Sequence, residues 1–237
     1  MIVDRRKAWL AWSSGKDCAW ALHMAREMVD IDIVGLLTTV TDEYARVSMH
    51  GVREELLLAQ AESIGLPLHI VRIPSPCPIE AYDDLMRQAL AVARSQGVGD
   101  VVFGDLFLED VRSYRESRLR EASMSAHFPL WQIDTGRLAR QMLAGGMKVI
   151  VTCVDTRKLD GKMAGRAWDE SFLASLPASV DPCGENGEFH TFVWDGPMFT
   201  RPAEVETGEV VEREGFVFCD VMPVKVAGGP LRPSIAP

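Results

Sequence analysis

At 237 residues the chain is too long for a mini-domain and short for two full domains, so one large unit with a smaller companion is expected. Hydrophobic residues at 47% and charged residues at 25% are globular proportions that exclude a disordered or fibrous chain. The formal net charge of -9, from 25 Lys+Arg against 34 Asp+Glu, repels a polyanion, so no bulk nucleic-acid binding is expected.

The opening Met1 to Trp12 places only five apolar residues after Lys7, too few for a signal-peptide core or a spanning helix, so a cytoplasmic protein with no membrane partner is expected. The cysteines Cys18, Cys77, Cys153, Cys183 and Cys219 form no C-x-x-C pair, which argues against a disulfide framework, a zinc ribbon or a dithiol site.

Apolar runs alternate with helical patterns through the first half, the texture of a parallel sheet with crossover helices. Strands are expected at Lys7 to Trp12, Ile31 to Thr38, Leu68 to Ile73 and Val101 to Phe103. Helices are expected at Cys18 to Met28, Val52 to Ile64, Ile79 to Ser95 and Val111 to Met124. In the second of these, Leu56, Leu57, Ala59, Gln60 and Ile64 share the sheet-facing side, and Gly65-Leu66-Pro67 ends it. After Trp131 the pattern predicts a helix near Thr135 to Ala144, a strand at Lys148 to Val154, a short helix at Ala167 to Leu176, and strands at Phe189 to Trp194 and within Glu209 to Met222. The expected fold class is therefore α/β: a Rossmann-like parallel sheet with flanking helices over 1–130, and a smaller mixed α/β domain over 131–237. The proline-rich tail from Gly228 reads as a loose end.

The first strand runs into Ser13-Ser14-Gly15-Lys16-Asp17-Cys18 and an alanine-rich helix, a geometry that offers backbone N–H groups and a helix dipole to an anion. The P-loop of common NTPases does not fit, because its first glycine falls at Leu10 and Asp17 follows Lys16. No G-x-G-x-x-G is present either. The reading without function is a tight strand-helix turn with a solvent lysine. A second segment, Gly184-Glu185-Asn186-Gly187-Glu188-Phe189-His190-Thr191, sets two carboxylates three apart on a loop, which suits magnesium, ammonium or an amine but equally a solvated loop. Cys153 ends a strand and reads as a buried thiol, the scattered tryptophans as core, and the mixed Arg112, Arg115, Arg118, Arg120 cluster as a solvated helix face.

The loop Ser13 to Cys18 resembles the S-G-G-K-D-S loop of the N-type ATP pyrophosphatases, with Ser14 standing for a glycine and Cys18 for the last hydroxyl. Gly184 to Thr191, followed by Asp195-Gly196-Pro197-Met198-Phe199, resembles the C-terminal signature of the diphthine-ammonia ligase family. Further matches are Gly104-Asp105-Leu106 with Tyr114 and Arg118, Pro129-Leu130-Trp131 and Gly165-Arg166, so the resemblance spans roughly residues 7 to 199. It implies an adenine nucleotide alpha-hydrolase-like fold that binds ATP and Mg2+. In this reading Ser13, Ser14, Gly15, Lys16, Asp17 and Cys18 grip the outer phosphates, Asp17 holds the metal, and Leu37, Thr38, His50, Gly104, Asp105 and Arg118 complete the nucleotide site.

The reaction so implied is an AMP- and pyrophosphate-forming amidation: a carboxylate acceptor is adenylated and ammonia displaces AMP. Lys16, Asp17, Glu185 and Glu188 are the expected catalytic residues. Tyr114, Glu185, Asn186, Gly187, Glu188, His190 and Thr191 are the expected acceptor contacts. The acceptor implied by the family is the diphthine side chain of an elongation factor, with a small-molecule carboxylate as the other option, and a homodimer is compatible with either. The rival readings are a tRNA-modifying enzyme of the same ATP fold, disfavoured by the -9 charge, and a non-catalytic nucleotide sensor.

Overall fold

The computed structural model describes residues 5–47 and 50–224, so the tail from Gly228 lies outside the described residues. β1 (Arg6–Ala11) is the centre of the first sheet, paired in parallel with β2 (Ile31–Thr41) on one side and β5 (Asp100–Val102) on the other. β4 (Leu68–Ile73) extends the parallel sheet beyond β2, and β6 (Ser125–His127) extends it beyond β5. The two-residue β3 (Arg46–Val47) pairs antiparallel with the far end of β2. β3 and β6 were not expected from sequence: runs of two and three residues show no periodicity, and only the neighbouring strand makes them strands.

Side chains alternate across β1, and each face finds its own core. Ala8 and Leu10 join the larger cluster with α1 (Lys16–Arg26) and α2 (Glu54–Ile64). Trp9 joins Leu37, Val71 and Val101 against Leu90 of α3 (Ile79–Ser95) and Leu119 of α4 (Glu109–Glu121). In α2, Leu56, Leu57 and Ile64 are buried, each worth about 1.5 to 3 kcal/mol of burial. Gly65 ends α2 in the left-handed conformation at φ +77°, with its N–H donating to the Ala61 carbonyl at 3.0 Å.

The second half builds an antiparallel sheet in the order β8-β7-β10-β9 from β7 (Lys148–Asp155), β8 (Phe189–Asp195), β9 (Val205–Arg213) and β10 (Phe216–Pro223). α5 (Thr135–Ala144) and α6 (Glu170–Ser175) accompany it, with a 3-10 turn at Gly161–Met163. Val149, Val151 and Phe192 of this sheet belong to the same cluster as Leu10 and α1, so a single apolar core runs from the first sheet through α1 and α2 into the second sheet. That shared core carries β8 onto the β1–α1 turn. The expected α/β class, a parallel sheet with flanking helices and a smaller second element, is the one observed.

Candidate active site

α1 begins at Lys16 with Gly15 as its N-cap, so the turn after β1 is only Trp12 to Gly15 and its helix N–H groups face the carboxyl end of the sheet. Ser14 takes φ +71°, a left-handed conformation that costs a residue with a side chain about 1 kcal/mol or more. The turn is held in that state from behind. Gln60, fully buried on α2, donates from Nε2 to the Ser14 carbonyl at 3.2 Å and to the Val193 carbonyl at 2.6 Å, while its Oε1 accepts from Trp12 Nε1 at 2.9 Å. The Val193 N–H donates to the Ser14 carbonyl at 3.0 Å, and Thr191 Oγ1 accepts from the Lys16 N–H at 3.2 Å. A polar Gln60 among the apolar residues on the sheet-facing side of α2 is the sequence signal for this bracket.

Gly104, after β5, lies against the start of α1: a Cβ there would stand 2.8 Å from the Asp17 carbonyl carbon and the Cys18 nitrogen. Only a glycine permits that approach, and it brings Asp105 beside the turn.

Lys16 is 2% exposed, so the alternative of a tight turn with a solvent lysine is not what the fold provides. Its Nζ donates to Asp17 Oδ2 at 2.8 Å and to the Cys183 carbonyl, and lies 5.5 Å from the Phe189 ring centre and 5.7 Å from that of Trp168. Burial works against the ammonium charge, but Asp17 and the other acidic groups around it outweigh burial and raise the Lys16 pKa, so it stays charged. Burial likewise pushes the Asp17 carboxyl above its usual range against the pull of Lys16. Asp17 Oδ1 and Thr38 Oγ1 are buried with no hydrogen-bond partner, and both residues line a cavity of about 740 Å³ at the carboxyl ends of the strands. A cavity of that size suits a ligand as large as a nucleotide, the usual range being roughly 300 to 1,000 Å³.

The acidic turn closes this cavity from the second half of the chain. Asp181 Oδ1 accepts from the Cys183 N–H at 2.9 Å and the Glu185 N–H at 3.2 Å, and Gly184, at φ +72°, lies where a Cβ would come within 2.9 Å of the Phe189 carbonyl. Glu185 Oε1 accepts from the Leu106 N–H at 2.8 Å, tying the turn to the segment after β5. Burial, helped by Asp17 and Asp105 and opposed by Lys16 and that hydrogen bond, raises the Glu185 carboxyl to about 7. His190 packs against His50 with ring centres 4.7 Å apart and planes tilted by 45°, and His50 Nδ1 lies 3.3 Å from the Thr191 carbonyl. Burial lowers His50 to about 3 and His190 to about 4, so both imidazoles are neutral near pH 7. Burial raises the Cys18 thiol to about 11 and the Cys153 thiol to about 12, and it raises Cys183 as well, so none of the three is a thiolate nucleophile.

The cavity brings together Ser13, Lys16, Asp17, Cys18, Leu37, Thr38, His50, Gly104, Asp105, Tyr114, Arg118, Glu185, Gly187, His190 and Thr191. Ser14, Gly15, Asn186 and Glu188 do not line it: the first two form the wall behind the turn, and the last two face a separate pocket. Tyr114 donates to an Asp83 carboxylate oxygen, and Arg118 pairs with Asp83 at 3.3 Å, so these two cavity residues bridge α4 to α3 at a distance from the acidic turn. Arg115 pairs with Asp105 at 2.7 Å and lies over Phe103, so the arginine-rich side of α4 is partly a cavity wall and not wholly a solvated face. The sequence reading missed Asp181, the contact between His50 and His190 and the Cys183 carbonyl, none of which a local pattern reveals.

No group of three or more His, Cys, Asp or Glu stands in a metal-binding arrangement among the described residues. Nor is any described helix long and apolar enough to cross a membrane.

The family models for the diphthamide synthase N-terminal and C-terminal domains match residues 6–126 and 134–225. The chain is 26% identical over 183 residues to a diphthine–ammonia ligase of Rattus norvegicus, covering 71% of this chain and 68% of that protein. It is 26% identical over 176 residues to the diphthine–ammonia ligase of Homo sapiens, covering 68% and 66%. Over a shorter 94 residues it is 33% identical to the protein of the same name from Schizosaccharomyces pombe, covering 38% of this chain and 16% of that one. With both halves of its site matched by these models, the chain belongs to the diphthamide synthase family.

Proposed function

We propose that the protein is an ATP-dependent ligase that joins ammonia to a carboxylate, releasing AMP and pyrophosphate through an acyl-adenylate. The observation that carries this reading is that the Ser13–Lys16 turn and Glu185 open on one cavity, so a nucleotide at the first lies beside an acceptor at the second. The names of the relatives, diphthine–ammonia ligase, support the same reaction class and suggest a diphthine-like carboxylate as acceptor. Residues 1–130 would then bind the nucleotide and 131–237 the acceptor, in the cytoplasm.

The fit to ATP and Mg2+ rests on the unpartnered polar atoms at the strand ends. Mg2+ takes one or two carboxylates and completes its shell with phosphate oxygens and water, so a single free Asp17 Oδ1 suffices for a metal that arrives with ATP. When bound, the metal offsets charge on the leaving pyrophosphate. The α1 N–H groups and Lys16 orient the outer phosphates as a leaving group, and Thr38 and Leu37 face the base. Lys16 must exchange the Cys183 carbonyl for phosphate, which ties nucleotide binding to the acidic turn. Glu185, with a carboxyl that titrates near neutrality, takes the proton that the attacking nitrogen loses as the amide bond forms. The phenyl ring of Phe189 and the indole of Trp168 limit water around Lys16 and protect the adenylate from hydrolysis.

The test is product analysis with α-labelled ATP, Mg2+, ammonium and a carboxylate acceptor. AMP and pyrophosphate in equal amounts, dependent on the acceptor, are expected; ADP and orthophosphate as primary products overturn the reading.

A further inference from the structure

Glu185 stands where its charge is disfavoured. Burial works against the carboxylate, as do Asp17 on α1 and Asp105 after β5, the latter itself paired with Arg115; Lys16 and the Leu106 N–H favour it. The bond to Leu106 is the one hydrogen bond that the Glu185 side chain makes among the described residues. A carboxyl held so lightly in such a place turns out to water unless the backbone beneath it is fixed.

That backbone has a joint. The Asp181 carbonyl accepts from the Gly184 N–H at 2.9 Å and the Gly184 carbonyl from the Gly187 N–H at 3.0 Å, so two turns meet at Gly184, whose φ of +72° lies where a glycine moves most freely. Rotation there redirects Glu185, the next residue. Asp181 spans the joint, because its Oδ1 accepts from the N–H on each side of it, Cys183 at 2.9 Å and Glu185 at 3.2 Å. Its Oδ2 accepts from Thr135 Oγ1 at 2.6 Å, and the Thr135 carbonyl accepts from the Cys183 thiol at 3.5 Å. Thr135 opens α5, whose Leu138, Ala139 and Met142 are fully buried in the core shared by the two sheets. The Cys183 peptide is held from the other side as well, its carbonyl accepting from Lys16 Nζ.

We propose that Asp181 is the positioning residue for Glu185: its Oδ1 bridges the Gly184 joint, its Oδ2 ties that bridge to α5, and together they keep the Glu185 carboxyl inside the cavity. The inference deepens the amidation reading, on which the need for a proton acceptor rests, but the positioning itself is read without turnover. Hold and charge have to be separated, since loss of a neighbouring negative charge also lowers a carboxyl. Asp181→Asn loses the charge and keeps an oxygen for the two N–H groups, whereas Asp181→Ala loses both.

The experiment uses the full chain without nucleotide, metal or acceptor, labelled with carboxyl-¹³C glutamate, and the Glu185 signal is assigned by its loss in Glu185→Gln. In the parent this signal is expected to titrate at about 7. Asp181→Ala should move the midpoint down by about one unit or more, toward the ordinary 4.5, as the carboxyl leaves the cavity. Asp181→Asn should keep it within about half a unit of the parent. Thr135→Val removes the tie to α5 with the shape retained, and a smaller downward shift is expected; it decides alone if Asp181→Ala does not fold. The proposal is overturned by an ordinary Glu185 midpoint in the parent, or by an unshifted midpoint in Asp181→Ala or Thr135→Val. It is overturned equally if Asp181→Asn matches Asp181→Ala, which assigns the shift to charge. ADP and orthophosphate in the product assay would instead remove the amidation reading and leave the titration result standing.

Discussion

The two loops that meet at the cavity are built by opposite means. The Ser13–Gly15 turn is held through its backbone: the Ser14 carbonyl accepts from Gln60 Nε2 and from the Val193 N–H, and the strain at Ser14 is borne by the packing behind it. The Gly184–Thr191 segment presents side chains: Asp181 organises its backbone, and its carboxylates and His190 face outward to two pockets. Backbone donors bind an anion without titrating, whereas carboxylates and imidazoles titrate and can move protons. Under the proposed function, the pH-insensitive task of holding phosphate would fall to the first loop and the proton-handling task to the second. Lys16 joins them, anchored in the first and bonded to Cys183 of the second.

Breaking that joint should have the largest effect. Lys16→Ala removes one partner of a buried ion pair and leaves Asp17 uncompensated, so a loss of about 3 kcal/mol in unfolding free energy is expected from urea titration. A loss below about 1 kcal/mol would mean that the two loops hold their places independently of Lys16. The same variant should weaken ATP binding about tenfold or more while adenosine affinity changes little, as calorimetry can read. Equal losses for both ligands would place the contribution of Lys16 in the fold and not at the phosphates.

The proton-handling side is tested by pH. With Glu185 titrating at about 7, the deprotonated base accumulates above that value, so the rate plotted against free ammonia should rise through about pH 7 and level off. His50 and His190, lowered to about 3 and about 4, add no inflection between pH 5 and 8. Stability should move the other way: a carboxyl raised in the folded state makes its contribution below its unfolded value and loses it as pH rises from about 4.5 to about 7. Glu185→Gln should abolish both slopes. A rate inflection that survives in Glu185→Gln would assign the proton transfer to another group.

The smallest expected effect belongs to the backbone side. Ser14→Gly relieves a left-handed residue and removes a buried hydroxyl without a partner, so a gain of about 1 kcal/mol is expected in thermal or urea unfolding. A loss instead would show that Ser14 Oγ has a partner in solution.

The sequence by itself determined the parallel α/β half, because hydrophobic period and turn residues act over short range: α3 at Ile79–Ser95 and β4 at Leu68–Ile73 match the pattern residue for residue. It also singled out the two candidate site segments, since Ser13–Cys18 and Gly184–Thr191 each carry unusual local chemistry. Tertiary structure alone decided how they meet. Thr191 bonds to the Lys16 N–H across 175 positions, and the Cys183 carbonyl bonds to Lys16 Nζ across 167. It decided too that Glu185 and Glu188, three apart in one turn, face different pockets. The physical reason is that burial and pairing belong to the whole packed core, which joins the two sheets through α1, and no window of a single chain segment contains the partner that buries it.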